Sequence, residues 1–358
     1  MVGQADPAPT QPALVTGEHD SVATTPVEVT TVGHDTAVLH HGATVRRLHD
    51  LSPATAYDVD GVSFETLPRP DGELLCRFAT TNDVHFGETE CGHFENIDLG
   101  PPLTVEEGEP PYPVTMNEGA VSEIAAIDPA AIIVKGDLTT NGTIEEYQAF
   151  LDCYATAFGE RLTHVRGNHD GYHGATFADV PTQRIDLPGV TIAVIDTTIP
   201  RAPNGQVTDD QFEWLGDVAS DADRPVLVFG HHHPWNPASN ERPEGYFGIV
   251  PDSSEALVTT IAAHPSIRGY FAGHTHRNRR RTFPATGEVP YVEVACVKDF
   301  PGAWAEYQVY EGGILQLMHR ISTPDALDWS ERTRSMFYGA YPGYSFGKLA
   351  DRCFAITT

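Results

Sequence analysis

Short apolar runs alternate with longer amphipathic segments over most of the chain, from residue 75 onward. Apolar runs of about four to eight residues are typical of buried strands, whereas apolar positions spaced by about three or four residues predict helices. The alternation of the two predicts an α/β domain built from layers of sheet and helix. The predicted strands run from Leu75 to Thr80, Ala131 to Val134, Leu162 to Val165, Val190 to Ile195, Val226 to Phe229 and Ile267 to Phe271, and the predicted helices from Glu118 to Ile127, Thr143 to Phe158, Thr208 to Val218 and Ser253 to Ala263.

The first 70 residues have a different pattern. Residues 1–24 are rich in proline, alanine and threonine and poor in bulky apolar side chains, which predicts a flexible arm. Residues 25–70 hold short alternating runs of strand type, and the stretch from Leu51 to Tyr57 resembles the tyrosine corner of fibronectin type III sandwiches. Because the stretch is too short for a full sandwich, we predict a small, truncated β-subdomain. His40 and His41 are expected on the surface of a hairpin.

Polar side chains follow five of the predicted strands, at the point where each strand ends. In an open α/β sheet the carboxyl ends of the strands form the ligand crevice, so we expect these side chains to converge. The motifs are Asp83-Val84-His85, Gly136-Asp137, Gly167-Asn168-His169-Asp170, Gly230-His231-His232-His233 and Gly273-His274-Thr275-His276.

The chemistry of these motifs indicates a metal site. The alternate spacing in Asp83-Val84-His85 and in His274-Thr275-His276 places both polar side chains of each motif on the same side of an extended backbone. The motifs supply carboxylates, imidazoles and an amide but no thiolate, a mixture that suits manganese, iron, cobalt or zinc. So many donors exceed the needs of one ion with an open position, and they fit two divalent ions that share a carboxylate.

With these five motifs in this order, the sequence resembles the calcineurin-like metallophosphoesterase family over about residues 75–310. The stretch from Gly136 to Gly142, followed by Glu145-Glu146-Tyr147, resembles the branch of bacterial cyclic-nucleotide and glycerophosphodiester phosphodiesterases. The resemblance implies a four-layer αββα sandwich, in which two mixed sheets are flanked by helices, and a two-metal site.

The resemblance also implies a role for the motif residues. Within the histidine triplet the family ligand lies two residues before the proline, which selects His232 and leaves His231 and His233 as neighbours that orient the loop. The implied ligands are Asp83, His85 and His276 for one ion, Asn168, His232 and His274 for the other, and Asp137 for both.

Further residues in and beside the motifs are candidates for catalysis or substrate binding. His169 adjoins a ligand without being one, so it is placed to protonate the leaving alkoxide while Asp170 holds its tautomer. The alternative is that His169 only orients a water molecule. Arg277 opens a basic cluster directly after the last motif and could attract a phosphate anion, although an arginine-rich turn paired to surface acids is the favoured explanation of the cluster.

The remaining segments complete the predicted organisation. Residues 71–321 form the main domain, in which residues 289–321 give strands without helices, as at the far side of a second sheet. The proline-rich stretch 88–114 is predicted to be an irregular insertion over the site, since long loops are often functional, and a surface loop with no role at the site is the alternative. Residues 322–358 are predicted to form a helical extension packed on the core or on a second subunit, so a homo-oligomer remains open.

Composition narrows the possible partners and locations. The chain has 22 basic and 50 acidic residues, a formal net charge of −28, which disfavours long nucleic acid as a partner. No apolar run is long enough for a membrane helix, and the first residues lack the pattern of a signal peptide. The five scattered cysteines form no Cys-x-x-Cys motif, so reduced thiols and a cytoplasmic location are expected.

The function that the sequence predicts is metal-dependent hydrolysis of small-molecule phosphodiesters. Two cations about 3.5–4 Å apart bind the phosphate oxygens and activate a bridging hydroxide for attack, with His169 as the general acid. The alternatives are a phosphomonoesterase or nucleotidase that uses the same site and, with less support, a nuclease or a non-catalytic scaffold. A scaffold is expected to have lost ligands, whereas every motif position is occupied here.

The acid excess generates the first testable prediction. It indicates adaptation to a high-salt cytoplasm, because unscreened self-repulsion of this size destabilises a compact state. We therefore expect the melting temperature to rise well into molar salt, beyond the range in which simple screening saturates. The competing explanation is a GC-rich genome that replaces lysine by arginine, and it predicts full stability and activity at low ionic strength with no gain on adding salt.

Overall fold

Two mixed sheets packed face to face form the centre of the protein. The computed structural model describes residues 26–93, 98–243 and 245–357, and the predicted N-terminal arm, residues 1–24, lies outside the described residues. The strands in these ranges are β1 (Val27–Val32), β2 (Ala37–His41), β3 (Thr44–Leu48), β4 (Ala56–Val59), β5 (Val62–Glu65), β6 (Leu74–Thr81), β7 (Ile132–Lys135), β8 (Leu162–Val165), β9 (Thr182–Leu187), β10 (Val190–Ile195), β11 (Val226–Phe229), β12 (Ile267–Ala272), β13 (Arg279–Arg281), β14 (Tyr291–Glu293), β15 (Ala303–Tyr310), β16 (Gly313–Arg320) and β17 (Cys353–Ile356). The α-helices are α1 (Tyr112–Ala126), α2 (Ile144–Phe158), α3 (Asn168–Gly171), α4 (Asp209–Asp221), α5 (Pro251–Ala263), α6 (Pro324–Arg332), α7 (Tyr341–Ser345) and α8 (Leu349–Arg352).

The strands that precede the five motifs are divided between the two sheets. The first sheet has the order β17-β16-β15-β6-β7-β8, and the second has the order β13-β14-β12-β11-β10-β9. Strands β6, β7 and β8 run parallel to one another, as do β10, β11 and β12. Each sheet therefore presents the carboxyl ends of its motif-bearing strands along one edge.

The prediction for residues 289–321 was wrong in part. Strand β14 joins the second sheet, but β15 pairs antiparallel with β6, and β15 and β16 extend the first sheet. The apolar pattern shows that these strands are buried and does not show which sheet they join. Their partner is fixed by contacts between segments more than 200 residues apart, such as Tyr307 opposite Phe78.

The four-layer αββα arrangement is confirmed by where the apolar side chains lie. One buried cluster fills the space between the sheets, where Phe78 stacks on Tyr307 with ring centroids 4.5 Å apart. A second cluster joins the first sheet to α1, α2 and α6, and a third joins the second sheet to α4 and α5. Because both faces of both sheets are covered, β7 and β11 are buried at every position, as their uninterrupted apolar runs predicted.

The two best-predicted helix starts carry side-chain caps. The Thr143 side chain accepts a hydrogen bond from the Glu146 amide at the start of α2. Thr208 accepts one from the Gln211 amide, and the Gln211 side chain in turn accepts from the Thr208 amide, which forms a capping box for α4. These caps bind amides that have no partner within the first helical turn. Within the described ranges, no helix has both the length and the apolar character that crossing a bilayer requires.

The N-terminal segment forms a three-stranded sheet, β1-β2-β3, and a two-stranded sheet, β4-β5. The Tyr57 hydroxyl accepts a hydrogen bond from the Ser52 amide at 2.8 Å, which is the type of contact expected of a tyrosine corner. The expected exposure of His40 was wrong, whereas His41 is exposed. His40 is 1% exposed and its ring lies within hydrogen-bond distance of Thr30 and Ser322, because this face of β2 is covered by the segment that follows β16.

The C-terminal segment is not wholly helical. It begins with α6, as its Thr-Pro-Asp start predicted, and ends as β17, an edge strand paired antiparallel with β16. Part of the segment packs against the irregular stretch that precedes α1. Arg332 donates to the Thr104 carbonyl at 2.7 Å, and the Tyr338 hydroxyl donates to Asp98 at 2.8 Å. The two stretches that carry the least regular structure therefore stabilise each other.

Burial of His40 leads to a prediction for pH-dependent stability. Burial lowers the pKa of His40 to about 3, from its ordinary value of 6.5, with a further contribution from Arg320. His40 therefore takes up a proton mainly in the unfolded state, so its contribution to stability is present above pH 6.5 and is lost as the pH falls towards 3. Between about pH 7.5 and about pH 5, we expect the free energy of unfolding to fall by about 2 kcal/mol more in the wild type than in His40→Gln. Urea titrations at the two pH values measure this difference, and equal pH dependence of the two proteins would show that His40 is not protonated selectively on unfolding.

Candidate metal centre

The carboxyl ends of the motif-bearing strands from both sheets meet at one place. Lys135, the last residue of β7, extends from the first sheet and donates a hydrogen bond to the Ala272 carbonyl at the end of β12, at 2.9 Å. The Gly273 amide donates to the His231 carbonyl at 2.9 Å, and the Asp83 amide donates to the Gly136 carbonyl at 3.0 Å. These contacts join the loops after β6, β7, β11 and β12 into one buried edge.

A first group of donors consists of Asp83, His85 and His276, whose ligand atoms lie within 4.8 Å of one another. The His276 Nε2 atom lies 3.5 Å from Asp83 Oδ1. Asp83 is completely buried, and its carboxylate accepts the His274 amide hydrogen at 3.0 Å, so it is held in place by the motif of the other sheet.

The Asp137 carboxylate lies between this group and a second one. Its Oδ2 atom is 3.5 Å from His85 Nε2 and 3.4 Å from His231 Nε2. Its Oδ1 atom accepts the His169 amide hydrogen at 2.9 Å. The same carboxylate oxygen thus lies within 3.5 Å of one histidine from each sheet.

The second group contains His231, His232 and His274, whose ligand atoms again lie within 4.8 Å of one another. Asn168 joins it, because its Oδ1 atom lies 3.0 Å from His231 Nε2. The Asn168 side-chain amide donates to the Tyr172 hydroxyl at 2.7 Å, which keeps the carbonyl oxygen pointed at the histidines.

His231 is the site residue that the sequence analysis placed outside the ligand set. Its Nδ1 atom lies 2.8 Å from the Lys135 carbonyl, so Nδ1 donates, and its Nε2 atom faces the side-chain oxygens of Asp137 and Asn168. His232 is oriented differently, with Nδ1 2.8 Å from the Thr197 hydroxyl. In a run of three consecutive histidines, the only sequence feature that distinguished one from another was the spacing to the proline. That spacing does not predict which of the three rings points into the site.

Two motif glycines are required by close packing at this centre. A Cβ atom on Gly167 would lie 2.2 Å from Asp137 Oδ1, and one on Gly136 would lie 2.5 Å from His231 Nδ1. Gly136 also has a φ of +88°, which favours glycine. Any larger residue at either position would displace the side chains that surround Asp137.

The backbone at the centre is strained. Asp83, His85, Asp137, His274 and His276 all have φ between +47° and +69°, a region that side-chain-bearing residues adopt at a cost of about 1–3 kcal/mol each. Clustering of such residues is typical of functional sites, because strain persists only where the surrounding structure imposes it. Here the strain turns five donors towards one another.

The donors fit divalent cations. Both ring nitrogens of His85 and the Nε2 atoms of His232 and His274 are buried without a hydrogen-bond partner. Burial lowers the pKa of each of these three rings well below its ordinary value, so they are neutral and offer lone pairs. Buried polar atoms without partners are costly, and ligation of a metal ion relieves that cost. Nitrogen and oxygen donors of this kind suit zinc, manganese, iron or cobalt.

The electrostatic environment of the shared carboxylate also favours a cation. Burial alone lowers the pKa of His231, but the neighbouring Asp137 carboxylate outweighs it and raises that pKa to about 9. The same attraction acts on any positive charge located beside Asp137.

His169 lies at the edge of the centre, half-buried, with its ring centroid 4.6 Å from that of His85. Its Nδ1 atom lies 3.0 Å from the Thr140 carbonyl, which can only accept, so Nδ1 donates. The predicted role of Asp170 in holding this tautomer was wrong. The Asp170 carboxylate accepts from the amides of Leu138, Thr139 and Gly167 and from the Thr139 hydroxyl, so it fixes the loop after β7 instead.

Arg277 is engaged with a buried acid. Its guanidinium donates to Glu293 at 2.9 Å, and Arg279 and Arg281 also lie within 4.0 Å of the same carboxylate. Burial raises the pKa of Glu293, but His233 and Arg277 outweigh it and hold that pKa far below its usual range. Arg277 therefore neutralises Glu293, and these contacts do not favour its predicted role in substrate binding.

A carboxylate beyond the motifs supports His276. Asp299 Oδ2 lies 3.7 Å from His276 Nδ1, and Lys298 forms ion pairs with both Asp299 at 3.1 Å and Glu88 at 2.8 Å. Glu88 begins the predicted insertion 88–114, so the start of that stretch lies beside the centre. The sequence around Asp299 does not indicate this role, because Asp299 acts through a contact with His276, which lies 23 positions earlier in the chain.

Comparison with known proteins agrees with this geometry. The family model of calcineurin-like phosphoesterases matches residues 76–278, which is more than half of the chain. Glycerophosphodiester phosphodiesterase GpdQ of Enterobacter lignolyticus is 29% identical over 49% of this chain and 70% of its own length. A probable cyclic nucleotide phosphodiesterase of Rhodococcus erythropolis is 24% identical over 43% of this chain and 54% of its own length. The 3′,5′-cyclic adenosine monophosphate phosphodiesterase CpdA of Pseudomonas aeruginosa is 28% identical over 45% of this chain and 60% of its own length.

The extent of these matches differs. The chain spans just over two thirds of the Enterobacter protein and less than two thirds of the other two. Among solved structures, a dimetal phosphatase from Danio rerio superposes with a TM-score of 0.52 at 15% identity, over 69% of this chain and 97% of that one. At this identity the superposition shows that the fold is shared.

Proposed function

This chain belongs to the calcineurin-like phosphoesterase family, and from that membership we propose that it is a metal-dependent hydrolase of small-molecule phosphodiesters. The observation that carries the proposal is the position of Asp137, whose Oδ2 atom lies within 3.5 Å of both His85 from one sheet and His231 from the other. Relatives named as cyclic nucleotide and glycerophosphodiester phosphodiesterases favour diesters as the substrate class.

We assign the ligands in two sets that share Asp137. Asp83, His85 and His276 hold one divalent ion, and Asn168, His232 and His274 hold the other, with His231 added to the second set because its Nε2 faces both Asn168 and Asp137. Bound there, a pair of divalent ions supplies Lewis-acid polarisation of the phosphate and activation of the attacking water. The donors suit manganese, iron, zinc and cobalt alike, since all four accept nitrogen and carboxylate ligands.

The contribution of His169 follows from its hydrogen bond. The Thr140 carbonyl fixes the Nδ1 proton, so a second proton carried on Nε2 is the one available for transfer. The half-buried ring lies next to His85, within the reach of a phosphate held at the first set of ligands. We assign His169 the role of general acid for the leaving alkoxide. Asp170 contributes indirectly, by fixing the loop that presents Thr139 and Thr140.

The assignment of Asp137 predicts the metal content of variants. Asp137→Ala and the isosteric Asp137→Asn both remove the shared charge, so we expect each to lose dinuclear occupancy and nearly all activity. Elemental analysis of purified protein measures metal per chain. Asp186→Ala is the matched control, because Asp186 is exposed on the β9–β10 hairpin, at the opposite end of the sheet. Two ions per chain in both Asp137 variants would overturn the shared-carboxylate assignment.

The general-acid role predicts a dependence on the leaving group. An alkoxide leaves poorly unless it is protonated, whereas nitrophenolate is stable near neutral pH. We expect His169→Ala to slow hydrolysis of glycerol or ribose diesters by about 10²–10⁴, the usual contribution of a positioned acid, and to slow nitrophenyl diesters much less. The metal content of His169→Ala should stay unchanged. His41→Ala, which truncates an exposed histidine on β2, should change neither the hydrolysis rates nor the metal content.

Three results would change this assignment. Equal losses on both types of ester would leave His169 as a residue that orients water. Loss of metal in the variant would make it a ligand, which its distance from His85 and Asp137 permits. Faster turnover of phosphomonoesters than of diesters by the wild type would favour a monoesterase instead.

A further inference from the structure

An exposed aromatic ring adjoins the candidate metal centre. Phe247 is 51% exposed, although large apolar side chains are usually covered. One face of its ring stacks on His274, with centroids 3.9 Å apart and an interplanar angle of 29°. His274 is in the second set of donors, so the Phe247 ring lies within one side chain of the place where a phosphate would be held.

The backbone directly after Phe247 is fixed by hydrogen bonds. The Ile249 amide donates to the His233 carbonyl at 2.8 Å, and the Gly205 amide donates to the Gly248 carbonyl at 2.8 Å. Ile249 is completely buried. Gly248 has a φ of +158° and passes so close to His233 that a Cβ atom would lie 2.6 Å from its carbonyl oxygen. Phe247 is therefore followed directly by two anchored residues, Gly248 and Ile249.

One face of the Phe247 ring is covered by a neighbouring side chain. Stacking on His274 covers that face, and about half of the residue remains exposed to solvent. An exposed apolar ring beside a polar site contributes little to folding, but it stabilises a flat, apolar group that packs on it. Aromatic pairs and stacked nucleobases are the usual partners of such a ring.

The charge of the surroundings distinguishes between aromatic and cationic partners. A quaternary ammonium group can also bind over an aromatic face. Here Arg277, Arg279 and Arg281 surround the single carboxylate of Glu293, which leaves a local excess of positive charge. This positive environment repels an ammonium group and leaves a neutral aryl group unaffected.

We propose that Phe247 determines substrate specificity by stacking on an aromatic group of the diester, such as a nucleobase, while the phosphate lies at the metal centre. The proposal rests on the proposed phosphodiesterase function and adds the substrate class to it. A nucleotide diester gains the stacking contact, whereas a diester of glycerol gains nothing from it.

Kinetics of Phe247 variants test the proposal. The substrates are adenosine 3′,5′-cyclic monophosphate and glycerophosphoethanolamine, of which only the first carries a ring. We expect Phe247→Ala to raise KM for the cyclic nucleotide by about 5-fold to about 100-fold, the range given by loss of one stacked base, with little change in kcat. KM for glycerophosphoethanolamine should change less than about 2-fold. Phe247→Tyr should retain the wild-type values, because it keeps the ring. Leu75→Ala, which truncates another exposed apolar side chain at the start of β6, should leave both substrates unaffected.

A binding measurement provides a readout that does not depend on turnover. Calorimetry of the metal-loaded protein with adenosine 5′-monophosphate and with inorganic phosphate separates the contribution of the base from that of the phosphate. We expect Phe247→Ala to weaken binding of the nucleotide and to leave phosphate binding and metal content unchanged. Equal weakening of both ligands, or loss of metal, would show that Phe247 acts only by supporting His274 and would overturn the proposal.

The outcomes for the two proposals can be told apart. Hydrolysis of both diesters by the wild type, with equal effects of Phe247→Ala on each, would refute the aromatic subsite and support the phosphodiesterase function. Selective nucleotide binding that depends on Phe247, without hydrolysis of either diester, would refute the function and support the subsite.

Discussion

Convergence of two sheets on the Asp137 carboxylate is the constraint on which the rest of the structure depends. His85 reaches Asp137 from the loop after β6, and His231 reaches it from the loop after β11 in the other sheet. The sheets must therefore pack with their carboxyl edges aligned, and the apolar cluster between them, with Phe78 against Tyr307 and Phe229, sets that alignment. Lys135 fastens the aligned edges by a hydrogen bond from one sheet to the other. Each group of donors draws on both sheets, since His276 joins Asp83 and His85 and Asn168 joins His231, so a small slip between the sheets would break up both groups.

The arrangement of side chains at the centre lowers the stability of the folded protein. Five of its residues hold left-handed backbone conformations, and three of its histidines keep buried ring nitrogens without partners. Each of these features costs free energy in the folded protein. The cost is tolerated because the surrounding core is extensive, with clusters on both faces of each sheet. Ligands that bind only the folded state shift the folding equilibrium towards it, so a metal ion and this strained centre stabilise each other.

Much of this fold could be predicted from the sequence, because buried strands leave apolar runs of defined length. The predicted bounds of β8, β10 and β11 agree with the structure, and the glycine and polar residues that follow β6, β7, β8, β11 and β12 indicated the site. Features that depend on distant contacts could not be predicted. The burial of His40 depends on Ser322, and the partner of β15 is a strand more than 200 residues earlier. The contacts between loops likewise determine the inward position of His231, the contacts of Asp170 and the support of His276 by Asp299. Short sequence patterns contain no information about these contacts.

The turn that carries His274 and His276 is completed by residues synthesised much later. The Tyr344 hydroxyl donates to the Thr275 carbonyl at 2.8 Å, and the Asn278 amide donates to the Ser345 carbonyl at 2.9 Å. These partners lie 69 and 67 positions further along the chain. During translation, β6, β7 and β8 and their donors can leave the ribosome and fold before this segment exists. The last ligands of the centre therefore acquire their final support only after Tyr344 and Ser345 have been synthesised.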